Sequence, residues 1–443
     1  MSLAERRWLR IFTLCALYVA QGIPWGFMTT TLPAYLTKRG LDFGFVTTTL
    51  AFTTLPYSFK WIWGPIVDTV QIEKLGRRRP WIVFAQAMMA VTVLTIVALD
   101  VTQQVKLLAW MILIHTVFNS LQDVATDALA VDILPDEDRG RANGLMYASK
   151  YGGGLIGGGV MAGLIVRTNL DTALLVQTSI LVAIMLLPLF VREGSGPAPR
   201  RERAAVVGRA LVQAFSLRST LVAAVLMLVG TFSIGLVAAI GFPLFIETLH
   251  WEPDKLTAIT GFWALLVGGV CAASAGYLSD RFGRRRVAVI AAFALAAGWI
   301  AFSLLHDSWT NKTLIYVFAF YEAACQGVFV TVLIALAMDL SWPRIAGSQF
   351  TTYMALSNYS TTLGYLFAKR AHEWWQFPTI YLVAAAVQLA ITPLFLPIDP
   401  TETRRSLPLP EGKRANITGV VCLGVLVVLL IGMTVYDVSK KLG

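Results

Sequence analysis

The stretch HTVFNSLQDVATDALAVD, residues 115–132, closes a long apolar run that ends at the break signals of residues 135–140. Its length and flanks predict a membrane-spanning helix. His115, Asn119, Asp123 and Asp127 recur inside it at every fourth position, so they share one slowly turning face. A charged side chain at the bilayer centre costs about 2.5–3.5 kcal/mol even on lenient insertion scales. Such groups face a bundle interior or a water-filled cavity, and they mark solute or ion paths.

The rest of the chain supplies the bilayer context. It has 443 residues, 56% hydrophobic and 14% charged, with a mean hydropathy of +0.67. Soluble domains carry about 25% charged residues. The net charge of +10 sits in short basic clusters between apolar runs, as membrane topology requires, and this excludes a nucleic-acid partner. Cys15, Cys271, Cys325 and Cys422 fall inside apolar spans without metal-ligand spacing, so neither a disulfide framework nor a bound metal is expected. No cofactor motif is present. GGGLIGGG, residues 152–159, follows no strand and reads as a close helix-packing surface rather than a phosphate loop. The basic N-terminal residues Arg6, Arg7 and Arg10 precede a long span without a small-residue cleavage site, which reads as a retained first helix.

Spans are expected at 11–33, 45–67, 80–100, 107–133, 142–166 and 172–191, then at 220–246, 256–279, 286–305, 313–340, 347–368 and 377–397, with a thirteenth at 417–436. The division follows: an N-terminal bundle, 1–191; an arginine-rich linker, 192–219, read as a solvated connector; a C-terminal bundle, 220–398; and 399–443, a linker with the extra helix. A cytoplasmic N-terminus places most of the arginine clusters inside. An internal repeat supports two halves. GPIVDTVQIEKLGRRRPW (64–81) follows the second span, and GYLSDRFGRRRVAV (276–289) follows the eighth. In duplicated transporters of this kind the solute site lies between the halves near the midplane.

This twice-used Gly-x-x-x-Asp…Gly-Arg-Arg-Arg loop resembles the signature loop of the major facilitator superfamily. Within it, YVAQGIPWG (18–26), LPYSFKWIWGPIVD (55–68), GRRRPW (76–81) and QDVATDALAVDIL (122–134) resemble the AmpG muropeptide permeases and the related acetyl-CoA transporters. Siderophore importers share these features more loosely. The resemblance implies an all-α membrane protein of the major facilitator fold that works by alternating access in a bacterial inner membrane. By position, Asp68, Arg77 and Arg78 resemble the family's inner gate loop, and Asp132 resembles its acidic partner. An acid at the inner end of a helix faces the negative pole of the macrodipole, so a basic partner is expected there. The same logic extends to Asp280 and Arg284 in the second half.

Depth arithmetic gathers a charged layer. Lys60 precedes Asp68 by eight residues, about 12 Å of helix, and Asp123 precedes Asp132 by nine, about 13–14 Å. Lys150 lies eight residues into the fifth span, again about 12 Å. Lys60, Asp123 and Lys150 therefore share one level, suited either to an anionic solute or to a structural ion-pair network. Burial would let Asp123, Asp127 or Glu322 exchange a proton in the physiological range. His115 reads as a packed core histidine or as a relay. Tyr18, Gln21 and Trp25 lie on a first helix bent at Pro24, where an amide and aromatic faces suit a sugar. Gln122 and Tyr151 adjoin the layer in sequence, and Gln326 and Asn358 are the second half's candidates for the same solute. Together these readings predict a monomeric, proton-coupled importer of a bulky anionic solute, most simply an anhydro-muropeptide. Acetyl-CoA, a siderophore, or a non-transporting receptor role are the alternatives. Nothing in the sequence carries an enzyme's constellation.

Overall fold

The computed structural model describes residue 3 and residues 6–69, 76, 78–101, 103–134, 139–193, 204–342, 345–399, 401–408 and 417–442. Every regular element among them is helical: the chain is an all-α membrane protein. Nine of the described helices are long and apolar enough to cross a bilayer by length and composition. The expected spans at 45–67, 142–166, 347–368 and 417–436 are helical but not among those nine, the last as a shorter apolar stretch, Ile417–Met433. The first of them is interrupted: its helix Phe43–Ser58 has 16 residues and gives way to the turn that carries Lys60.

In the first half, α1 runs Arg7–Lys38, α2 Phe43–Ser58, α3 Trp63–Thr69, α4 Arg79–Val97, α5 Val105–Ile133, α6 139–167 and α7 Leu170–Phe190. Then come α8 Ala204–Phe215, α9 Arg218–Thr248, α10 253–282, α11 Arg284–Leu304, α12 Lys312–Leu340, α13 Ala346–Trp374, α14 Phe377–Ala390, α15 Glu402–Ser406 and α16 Ile417–Leu442. The stretch that opened the sequence reading lies wholly within α5, whose bounds meet the expected 107–133 within two residues.

By contacts the chain forms two compact units. One comprises 1–198 with 240–273 and 307–324, and the other 199–239 with 274–306 and 325–443. In the first unit, α1 and α6 meet backbone to backbone. A Cβ added to Gly22 would stand 2.1 Å from the Lys150 carbonyl oxygen, and one on Gly157 would stand 1.9 Å from that of Ile23. Only glycine permits this approach, which makes GGGLIGGG the packing surface expected of it. The helices loosen where they touch. Phe27–Thr31 of α1 and Ile156–Val160 of α6 are π-helical turns. The Thr31 hydroxyl donates to the carbonyls of Gly157 at 2.9 Å and Gly158 at 2.8 Å.

In the second unit, α9 breaks at Thr231, whose hydroxyl donates to the Ser357 carbonyl at 2.7 Å. The segment read from sequence as a solvated connector contains α8. Its Ala210 and Ala214 are buried in a cluster with Leu217, Trp342, Ile345 and Leu407. The run AAVVGRALVQAF has apolar residues at helical spacing, and that face finds an apolar partner, so the segment folds rather than staying solvated.

Candidate functional site

The α1–α6 contact sets the site. Because glycine lets the two backbones meet, Lys150 and Tyr151 stand beside the face of α1 that carries Tyr18 and Trp25. The Tyr18 and Tyr147 rings pack edge to face with centroids 5.9 Å apart, and Trp25 and Tyr151 do so at 6.0 Å. Pro24 is accommodated within α1, and the π-helical turn follows it at Phe27.

Lys60 arrives by a different route. The chain leaves α2 at Ser58, winds through a tight 3-10 turn at Lys60–Ile62, and resumes as α3. The turn directs Lys60 inward, 5% exposed, and leaves Trp61 outward, 54% exposed. Lys60 Nζ then donates to Asp123 Oδ2 at 3.2 Å, and Lys150 Nζ lies 3.8 Å from Asp123 Oδ1. The three groups that depth arithmetic set at one level are one cluster. One turn along α5, Asp127 Oδ1 accepts from the Tyr18 hydroxyl at 2.6 Å. Tyr57 and Tyr147 are half-buried within electrostatic reach of both carboxylates. The arrangement is a pair of acids and a pair of ammoniums in an aromatic wall. It can hold an anion, exchange a proton, and stack a ring.

Other candidates fall elsewhere. Gln122 is buried and donates to the Leu17 carbonyl at 3.2 Å, which ties α5 to α1. Gln21 is fully buried, and neither of its amide atoms has a hydrogen-bond partner among the described residues. His115 is also fully buried. Thr92 Oγ1 lies 2.9 Å from its Nδ1, and its Nε2 has no hydrogen-bond partner among the described residues. Glu322 is half-buried on α12 in the first unit, and Gln326 and Asn358 are half-buried in the second.

At the C-terminal end of α5, Arg78 Nε donates to Asp132 Oδ2 at 2.8 Å. The second half has an equivalent: Arg284 pairs with Asp339, at the end of α12, and donates to the Ala335 carbonyl at 2.8 Å. Arg77 lies outside the described residues, as do the side chains of Asp68 and Asp280. Sequence reasoning missed Tyr57, Tyr147, Asp339 and Glu193. For Asp339 there was a signal, because it stands at the end of the tenth span as Asp132 stands at the end of the fourth.

Comparison with known proteins agrees with this architecture. The family model for the Major Facilitator Superfamily matches residues 11–275 and 263–438. An anhydromuropeptide permease of Escherichia coli is 26% identical over 401 residues, 86% of this chain and 79% of that protein. The crystal structure of a D-xylose–proton symporter superposes with a TM-score of 0.72 at 12% identity, covering 90% of this chain and 99% of that one. That of the nucleoside transporter NupG superposes with a TM-score of 0.65 at 13% identity, covering 88% and 99%. These likenesses, added to a helical membrane fold with a repeated arginine loop, establish that the chain belongs to the major facilitator superfamily and, within it, resembles the AmpG muropeptide permeases.

Proposed function

We propose that this chain is a proton-coupled secondary transporter that imports a bulky, anionic, polar solute into the bacterial cytoplasm. The solute class it fits best is an anhydro-muropeptide, GlcNAc-anhydroMurNAc with or without peptide. The observation that carries the reading is the cluster of Lys60, Lys150, Asp123 and Asp127 inside a membrane bundle, walled by Tyr18, Trp25, Tyr57, Tyr147 and Tyr151. Intramembrane charge is costly and is characteristic of transport paths. Ammonium groups suit a carboxylate-bearing solute, and aromatic faces suit its sugar rings. The relative from Escherichia coli named above supports the same solute class.

In this reading the halves are 1–191 and 220–398, joined by 192–219. Glu322, Gln326 and Asn358 are further candidates for solute contact, Asp280 joins Asp68 and the arginine pairs as inner gates, and the N-terminus is cytoplasmic. The transporter acts as a monomer in the inner membrane, and no step of chemistry on the solute is involved.

Uptake competition tests the solute class. In proteoliposomes carrying the full chain, unlabelled GlcNAc-anhydroMurNAc tripeptide should displace the labelled form, while acetyl-CoA and a ferric siderophore should not. Uptake of acetyl-CoA or the siderophore in place of the muropeptide would overturn the assignment.

A further inference from the structure

Asp123 and Asp127 stand one turn apart on α5, yet the cations are shared unequally between them. Lys60 lies 3.2 Å and Lys150 3.8 Å from Asp123 oxygens. Among the described residues the hydrogen-bond partner of Asp127 is the neutral Tyr18 hydroxyl, at 2.6 Å.

Around Asp127, α1 brings Tyr18, α2 brings Tyr57, and the turn after it brings Lys60. α6 brings Tyr147 and Lys150, and α5 itself supplies Asp123. α4, packed along α5, contributes Arg79, whose guanidinium donates to the carbonyls of Pro188 and Leu189 at the helix's cytoplasmic end. Farther along α5, His115 is bonded to Thr92 and Asp132 to Arg78. α3 carries Asp68 at its inner end.

Opposite charges this close attract each other far more strongly inside a protein than in water. Protonating Asp123 would forfeit two such attractions and leave two ammoniums facing each other. Protonating Asp127 removes its repulsion with Asp123 and requires only that the Tyr18 hydroxyl turn from donor to acceptor. We infer that the two carboxylates divide the work: Asp127 takes up and releases the coupled proton, while Lys60 and Lys150 hold Asp123 ionised throughout. This rests on the proton-coupled reading above. The step balances simply, since one proton joins the Asp127 carboxylate from one side of the membrane and leaves it toward the other. With Asp127 neutral, two ammoniums face one carboxylate, and the cluster carries a net positive charge for an arriving anion. Proton binding and anion binding then favour one another.

A solute-free experiment tests this. The full chain in liposomes is taken through a pH step and followed by infrared difference spectroscopy, which sees the carbonyl stretch of a protonated carboxylic acid. The band should disappear in Asp127→Asn, move in Asp127→Glu, and in Asp123→Asn persist but form only at lower pH, because that variant loses the neighbouring charge and frees both lysines. A band that survives Asp127→Asn, or that is absent from Asp123→Asn at every pH, overturns the assignment and leaves the transport reading standing. A band on Asp127 in a protein that carries no muropeptide would confirm the assignment and overturn only the solute class.

Discussion

Glu193 closes the amino end of the helix that Arg79 begins. Its Oε1 accepts from the backbone N–H of Arg78 at 2.8 Å and of Arg79 at 2.6 Å. The helix has no side-chain cap of its own, so the residue just past α7 supplies an acceptor and a negative charge at the positive pole of the dipole. Gly76 makes room for it. Its φ is +96°, and a Cβ there would stand 2.8 Å from the carboxyl carbon of Glu193. Glu193→Ala should therefore lower stability by about 1–2 kcal/mol, as loss of an N-cap does. Glu193→Gln, which keeps the acceptor, should cost less, and Gly76→Ala should also destabilise. Thermal unfolding in detergent orders the three variants.

Arg78 and Asp132 form one ion pair, and Arg284 and Asp339 form its counterpart in the second half. If the pairs are gates, their sign matters less than their complementarity. Asp132→Arg and Arg78→Asp should each reduce uptake at least tenfold, and the double exchange should recover a measurable part of it. Initial uptake rates of the two single variants and the double variant decide this. A double variant no better than either single one would argue against pairing.

Asp123 lies between Lys60 and Lys150 with 8% of its side chain exposed. Removing one partner of a buried pair typically costs about 3–5 kcal/mol, whereas replacing both partners with apolar groups is often neutral. Lys60→Met should thus destabilise the protein strongly, and Lys60→Met with Asp123→Leu should restore most of its melting temperature. Uptake should stay absent in both. Restored stability without restored transport separates a working pair from a merely structural one.

Lys150 is the more exposed of the two lysines, with 27% of its side chain accessible against 7% for Lys60. It also holds Asp123 at the longer distance. Lys150→Gln should raise the KM for the anionic solute about tenfold, equivalent to about 1.4 kcal/mol. Dependence on the proton gradient should be retained. Uptake kinetics at two imposed gradients check both statements.

At the end of the bundle remote from Arg78, α6 and α10 touch through glycine. A Cβ on Gly261 would stand 2.7 Å from the Gly158 carbonyl oxygen, and one on Gly158 would stand 2.8 Å from that of Gly261. Gly158→Ala and Gly261→Ala should each weaken this contact by about 1–3 kcal/mol, the usual cost of overpacking. A cysteine placed at Thr30, whose methyl group lies against Gly261, should then react faster with an impermeant thiol reagent.

How far the sequence could be read depends on the kind of signal. The polar positions of α5 recur at helical spacing inside an apolar run, so the helix was legible, and the rise per residue was enough to bring Lys60, Lys150 and Asp123 together. The repeated arginine loop announced the duplication. Tyr57 and Tyr147 were not legible, because a tyrosine within an apolar span reads equally as packing or as an interfacial residue. Glu193 was hidden in a charged linker, where its partners are backbone amides more than a hundred residues away in sequence. The π-helical turns carry no composition of their own. They emerge where the glycines of α6 let α1 approach.

The central claim is that a transmembrane proton gradient drives a muropeptide inward through this chain. Its most direct test is accumulation of labelled GlcNAc-anhydroMurNAc tripeptide in proteoliposomes with and without an imposed inward proton gradient. Accumulation above the equilibrated level should occur only with the gradient and should collapse when a protonophore is added. Equal uptake in both conditions by folded protein would contradict proton coupling, and no uptake in either would contradict the solute.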